Sequence, residues 1–102
     1  MTRHIILWTL KEMPEAEKAR VKAEIKAGLE GLAGQIPGLV SIRVETRRLP
    51  SSNADLMLDS SFESPAALAA YATHPAHVAV ADGKVRPYTA VRSCLEIGRA
   101  HV

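Results

Sequence analysis

Four segments of the chain have patterns of apolar and polar residues typical of β-strands. Successive side chains of a strand point to opposite faces of the sheet, so a strand buried on one side has a period of two. The first segment is apolar at both parities, and we expect both of its faces to be covered. The predicted strands are residues 3–11, 39–47, 55–62 and 89–97.

The alternation also assigns individual side chains to faces. In the first strand, one face carries His4, Ile6, Trp8 and Leu10. In the second strand, the buried face is expected to carry Val40, Ile42 and Val44. In the last strand, one face carries Arg92, Cys94 and Glu96, and the other carries Val91, Ser93, Leu95 and Ile97.

The long segment between the first two strands has the period of an amphipathic helix. Pro14 suits the first helical position, where its missing N–H is not needed. Gly34 and Pro37-Gly38 are expected to end this helix. Its apolar stripe repeats every third or fourth residue and consists of Val21, Ile25, Leu29, Leu32 and Ile36.

A second, shorter helix is predicted over Ala66–Ala72, after the N-cap residue Ser64. Pro75 interrupts this helix because the residue before a proline avoids helical geometry. Pro75 then opens a short helical piece that runs to about Asp82, and Gly83 is expected to stop it.

The predicted order of elements is β-α-β-β-α-β. This order indicates an α+β, ferredoxin-like fold, in which both helices pack on one face of an antiparallel four-stranded sheet. The 102 residues suffice for one domain, spanning residues 1–102, with a loose tail over residues 98–102. Because helices cover only one face of the sheet, its other apolar face needs a partner. We therefore expect a homodimer that packs sheet against sheet into a barrel.

Composition excludes several classes of function. Thirteen Lys and Arg against eleven Asp and Glu leave a net charge of +2, too little for a protein whose main partner is a nucleic acid. The apolar stretch near the N-terminus, residues 5–10, is too short for a signal peptide or a membrane span. The one cysteine forms no internal disulfide. We expect a cytoplasmic protein without membrane or nucleic-acid partners.

The densest group of polar side chains lies where the second helix breaks. Tyr71, His74 and His77 stand close together there. A histidine moves protons near neutral pH, and a tyrosine donates a hydrogen bond beside it, so the group suits acid–base chemistry. A structural role fits equally well. In that interpretation His74 caps the short helix, His77 packs at a helix–sheet junction and Tyr71 belongs to the core.

His4 is a further candidate because it lies among apolar side chains on the first strand. If that strand is central and the second helix lies over it, His4 and His77 converge from different elements. A lone strand histidine is also a common core residue. We assign Trp8, which shares the face of His4, and His74 to ligand binding.

No metal and no cofactor is expected. His74 and His77 are half of a ligand set, but Pro75 separates them, and neither a cysteine cluster nor an HExxH motif is present. Cys94 has no histidine partner in a motif and is expected to be a small buried hydrophobic residue. The side chains considered as further ligands are Asp55, Asp59, Asp82 and His4.

Three segments resemble the stress-responsive A/B barrel family, also known as dimeric α/β barrel proteins. They are Arg3–Trp8, Asp55–Ser64 and, most specific, Tyr71–Val78 with its Tyr-x-x-His-Pro-x-His pattern. The resemblance extends over residues 2–97. It implies a ferredoxin-like homodimer whose two sheets form a barrel, in agreement with the dimer inferred from the two-sided strands.

The resemblance implies two functions of different classes. Some members are stress-associated proteins, and one plant member is a cofactor-independent polyketide cyclase. By resemblance to that enzyme, His77 is the general base, Tyr71 supports it and His4 lines the same cavity. We expect a homodimeric, small-molecule-binding domain with no assignable reaction, because four aromatic residues give little grip on a large aromatic substrate. The alternative is a cofactor-independent lyase or cyclase that acts on an enolisable carbonyl compound.

Overall fold

The structure, a computed structural model, describes residues 1–98 as one sheet covered by helices. The helices are α1 (Glu15–Glu30), α2 (Pro65–Thr73) and α3 (Pro75–Val80), and a π-helical turn, Ala81–Val85, follows α3 directly. The strands are β1 (Thr2–Leu10), β2 (Leu39–Glu45), β3 (Leu56–Phe62) and β4 (Thr89–Gly98). The tail predicted to be loose lies, apart from Gly98, outside the described residues.

The four strands form one antiparallel sheet in the order β2-β3-β1-β4. This order and the position of the helices confirm the ferredoxin-like prediction. The central strand β1 has β3 on one side and β4 on the other. Its His4 therefore stands opposite Ser60 of β3 and opposite Glu96 of β4.

The core lies between the helices and one face of the sheet. Trp8 is 4% exposed there, as predicted for a covered strand. α1 buries its apolar stripe against this face, and α2 adds Leu68 and Tyr71, which stand one helical turn apart. The largest buried members of the cluster from the sheet are Trp8, Phe62, Leu56, Leu58, Ile6 and Leu10.

The prediction that α1 continues to Gly34 is wrong, because the helix ends at Glu30. Residues 31–38 form turns, and Gly34 and Gly38 adopt φ values of +80° and +83°, which favour glycine. Leu32 and Ile36 are nevertheless buried. The apolar stripe therefore predicts burial correctly beyond the end of the helix, because side chains of a turn also pack into the core.

Two further predictions differ from the structure. Gly83 does not stop the second helical region, because it lies inside the π-helical turn. The wider turn is closed by the Arg86 amide, which donates to the Ala81 carbonyl at 2.9 Å, and it keeps Val85 in the core. Val40 is 50% exposed rather than buried, because an irregularity between Leu39 and Ser41 shifts its register against β3.

The face of the sheet away from the helices carries exposed apolar side chains. Leu7, Val91 and Leu95 are 41%, 58% and 60% exposed. Their neighbours Ile5 and Met57 are half-buried. This is the second apolar face that the sequence predicts to need a partner. None of the helices within residues 1–98 has the length and apolar character needed to cross a membrane.

Candidate active site in a cavity between the sheet and the second helix

A cavity of about 490 Å³ opens between the helix-facing side of β1 and β4 and the segment from α2 to the π-helical turn. β4 lies at the edge of the sheet beyond the reach of the helices, and this leaves the space. The structure brings His4, Tyr71 and His77 together in the wall of this cavity. The other lining side chains include Ile6, Trp8, Leu68, Ala72, Val85, Arg86, Arg92 and Glu96.

Tyr71 and His77 form a packed pair. Their ring centroids are 4.2 Å apart and the ring planes are inclined by 34°. The break at Pro75 produces this contact, since α2 ends at Thr73, His74 is extended and α3 begins at Pro75. His77 is consequently half-buried against the tyrosine ring.

The hydrogen bond of His77 defines its tautomer. Its Nδ1 lies 3.2 Å from the carbonyl oxygen of Ala72, and a carbonyl oxygen only accepts, so Nδ1 carries a proton. In the neutral ring, Nε2 is then the nitrogen that accepts a proton. Burial lowers the pKa of His77 below its ordinary value, and the nearby Arg86 adds to this effect against the opposing hydrogen bond.

The Tyr71 ring is buried between Phe62, at a centroid distance of 4.9 Å, and His77. Its hydroxyl group has no hydrogen-bond partner among residues 1–98. Burial raises the pKa of this phenol to about 12, so the hydroxyl stays protonated at neutral pH. The side chain therefore offers a hydrogen-bond donor that the described part of the protein leaves unused.

His4 is buried on β1 and faces the same space. Its ring centroid lies 6.4 Å from that of Tyr71. Burial lowers the pKa of His4, although Glu96 across the strand, with Oε1 3.4 Å from Nδ1, acts in the opposite direction. Two imidazoles that favour the neutral form thus border one cavity.

The two residues assigned to ligand binding have different positions. Trp8 lines the cavity beside His4 and Ile6. His74 is absent from the lining, and its Nδ1 accepts a hydrogen bond of 3.1 Å from the Ala76 amide at the start of α3. This contact is the capping role that the sequence left open, and the structure does not bring His74 to the cavity with the other candidates.

The aspartates considered as metal ligands are engaged elsewhere. Asp59 accepts two hydrogen bonds of 2.9 Å from Arg3, and Asp55 accepts from Arg48 at 2.9 Å. Asp82 pairs with Arg86. The structure does not bring these carboxylates to His74 and His77, so that ligand set does not form.

Arg86, Arg92 and Glu96 are site residues that the sequence did not identify. The alternation of β4 places Arg92 and Glu96 on one face, which was a usable signal. Their proximity to His4 depends on the register between β1 and β4, which local pattern does not specify. Cys94 on the same face is exposed, so the prediction of a buried cysteine is wrong. Helices leave this part of β4 uncovered.

Comparison with known proteins agrees with this architecture. The model of the stress-responsive A/B barrel domain matches residues 2–98. The chain belongs to the stress-responsive A/B barrel family. The resemblance inferred from the strand and Tyr-x-x-His-Pro-x-His segments is thereby confirmed, while a comparison with curated proteins gives no match.

Solved structures of the same fold include members described as dimeric. A dimeric ferredoxin-like protein of unknown function from Bacteroides fragilis has 29% identity and a TM-score of 0.88, covering 94% of this chain and 93% of its own. One from Thermobifida fusca has 21% identity and a TM-score of 0.80, covering 96% and 90%. A hydroxynitrile lyase from Passiflora edulis has 16% identity and a TM-score of 0.70, covering 99% and 96%. The dimeric neighbours support self-association of this A/B barrel chain.

Proposed function

We propose that this A/B barrel protein binds a small organic molecule in the cavity that His4, Tyr71 and His77 border. The observation that carries the proposal is the cavity itself, since about 490 Å³ lies within the range of about 300–1,000 Å³ typical of small-molecule sites. Its walls are mostly apolar, and a few polar groups converge on it. The Tyr71 hydroxyl is buried without a partner, so it would donate to a ligand's acceptor, such as a carbonyl oxygen, once its neighbours in the cavity wall move aside.

A second candidate function, catalysis, is favoured by the tautomer of His77. Its Nε2 is the free base nitrogen of a ring whose pKa is lowered by burial, so it is poised to remove a proton from a carbon next to a carbonyl group. Tyr71 would donate to the oxygen that becomes negative, and His4 would position the substrate. The chain would then act as a cofactor-independent lyase or cyclase on an enolisable carbonyl compound. The Passiflora neighbour shares only the fold, which shows that this scaffold can hold a lyase.

Hydrogen–deuterium exchange tests the two candidates together. Small β-diketones and aryl ketones would be incubated with the protein in heavy water, and NMR would follow both binding and the loss of the α-proton signal. Binding without enhanced exchange would support the first candidate alone. Exchange above the buffer rate would support proton abstraction.

Two histidine variants provide the matched comparison. His77→Gln should abolish enhanced exchange, because the base nitrogen is lost. His74 lies outside the cavity, so His74→Gln should leave exchange close to that of the wild type. Equal exchange rates in the wild type and the His77→Gln variant would eliminate the catalytic role. No binding of any compound in the wild type would count against the cavity as a site.

We further propose that two copies associate through the sheet faces that the helices leave uncovered. The support is the apolar surface around Leu7, Val91 and Leu95, which a second copy of the same face would cover. A cytoplasmic location stays a prediction of the sequence.

A further inference from the structure

Three different metal-ligating side chains meet at the rim of the cavity. His4 Nδ1 lies 3.4 Å from Glu96 Oε1 and 3.8 Å from Cys94 Sγ. Cys94 Sγ lies 3.9 Å from Glu96 Oε1. An imidazole nitrogen, a thiol sulfur and a carboxylate oxygen thus form a triangle of nearly equal sides.

The register of the sheet creates this triangle. His4 of β1 stands opposite Glu96 of β4. Cys94 precedes Glu96 by two residues and so projects from the same face of β4. Two adjacent hydrogen-bonded strands therefore hold all three groups on a rigid support, which favours a preorganised site.

The sides of the triangle match tetrahedral zinc. With Zn–N, Zn–O and Zn–S bonds of about 2.0–2.3 Å, two ligands of a tetrahedral site stand roughly 3.3–3.7 Å apart. The observed separations of 3.4, 3.8 and 3.9 Å need to close by only a few tenths of an ångström. We propose that His4, Cys94 and Glu96 bind a divalent ion of the zinc class, with the fourth coordination position left for water or a ligand.

The donor set selects the class of ion. Thiolate and imidazole ligands suit Zn²⁺ and its neighbours among the transition metals, whereas Mg²⁺ and Ca²⁺ require oxygen ligands. The charges of a thiolate and a carboxylate balance those of the ion. The guanidinium of Arg92 on the same face of β4 opposes the cation, so affinity depends on both negative ligands being present.

The position of the triangle gives the ion access from both sides. Cys94 and Glu96 are exposed, so an ion enters from solvent, and His4 and Glu96 also line the cavity. A site with three protein ligands and one open position is the arrangement of catalytic zinc. Sequence spacing does not reveal this set, because His4 lies near one end of the chain and Cys94 and Glu96 near the other.

The metal site shares His4 and Glu96 with the lining of the cavity, but binding of the metal does not require the proposed small-molecule function. The metal ligands do not include His77 or Tyr71, so the metal site can exist whether or not the cavity turns over a substrate. Binding of the metal alone is therefore the appropriate test.

Cobalt titration of the reduced, tag-free protein provides that test. Co²⁺ should give one equivalent of binding per chain, with an intense tetrahedral visible spectrum and a near-ultraviolet sulfur-to-metal charge-transfer band. Excess Zn²⁺ should remove both signals, and Mg²⁺ should not. Competition with a chromophoric chelator would then give the Zn²⁺ affinity.

Variants at the exposed ligands leave the core untouched and keep the test decisive. Cys94→Ser should remove the charge-transfer band, and both Cys94→Ser and Glu96→Gln should weaken Zn²⁺ binding by more than about tenfold, since loss of even an outer partner of a ligand costs about 10- to 100-fold. Ser93→Ala, on the opposite face of β4, is the matched control and should bind as the wild type does. A wild-type protein without the charge-transfer band, or with a Zn²⁺ affinity equal to that of Cys94→Ser, would overturn the proposal.

Discussion

Burial favours the uncharged forms of His4, Tyr71 and His77 in the cavity wall. His4 and His77 both have a lowered pKa because desolvation disfavours the imidazolium form. The same effect raises the pKa of Tyr71 to about 12. At neutral pH the site therefore contains neutral imidazoles beside a protonated phenol, which is the state required for a base and a hydrogen-bond donor.

The lowered histidine pKa values make stability depend on pH. Below the unfolded-state pKa of about 6.5, the unfolded chain binds protons that the folded chain resists, so the free energy of unfolding rises with pH through this region. It should level off above about pH 7. Urea unfolding at a series of pH values measures this. His77→Gln should give a shallower slope, and stability that increases as the pH falls through 6.5 would contradict the assignment.

The Tyr71 hydroxyl is predicted to serve a ligand rather than the fold. Because a buried hydroxyl without a partner costs about 1–3 kcal/mol, Tyr71→Phe should be at least as stable as the wild type. The same variant should bind carbonyl compounds more weakly. Thermal unfolding and NMR titration measure the two effects. A loss of stability above about 1 kcal/mol would show instead that the hydroxyl has a structural partner.

At the scale of elements, the sequence predicted the features that depend on neighbouring residues, such as strands and helix caps. The alternation of β1 and β3 and the Ser64 cap, whose hydroxyl accepts from the Ala67 amide at 3.1 Å, match the structure. The end of α1, the exposure of Val40 and the proximity of Cys94 to His4 were not predictable. These depend on turns, on an irregular register and on strand pairing between distant residues, which no local period contains.

The turn after α1 contains a matched pair of glycines that tests how it packs on α2. Both Gly34 and Gly38 have positive φ, but a Cβ at Gly38 would lie 2.5 Å from the Ala67 Cβ, whereas a Cβ at Gly34 meets nothing within 4 Å. Gly34→Ala should lose about 1 kcal/mol from backbone strain. Gly38→Ala should lose about 1–3 kcal/mol more from overpacking. Equal losses on urea unfolding would contradict the close approach of this turn to α2.

At the scale of the whole molecule, the two faces of the sheet have different tasks. One face carries the helices, the core and the cavity, and the other presents apolar side chains from β1, β3 and β4. The sequence predicted this division from apolar residues at both parities of the first strand. The sequence did not predict the shape of the cavity, because the space arises where the helices leave the edge strand β4 uncovered.

The apolar face predicts a dimer that one charge should break. Leu95→Glu would place a carboxylate within the proposed interface, where burial of an unpaired charge is costly. Light scattering should then show a monomer in place of the wild-type dimer. Leu49→Glu, at an exposed apolar position in the loop between β2 and β3, is the matched control and should stay dimeric. A Leu95→Glu variant that remains a dimer would locate the interface elsewhere.

The most direct test of the central claim is a ligand titration followed through the histidine side chains. The protein would be labelled with ¹⁵N-histidine, and the imidazole signals would be recorded while an aryl ketone is added. If the cavity is the binding site, the signals of His4 and His77 move together with one dissociation constant, and the signal of His74 stays in place. A ketone that binds without moving His4 and His77, or that moves His74 alone, would contradict the account.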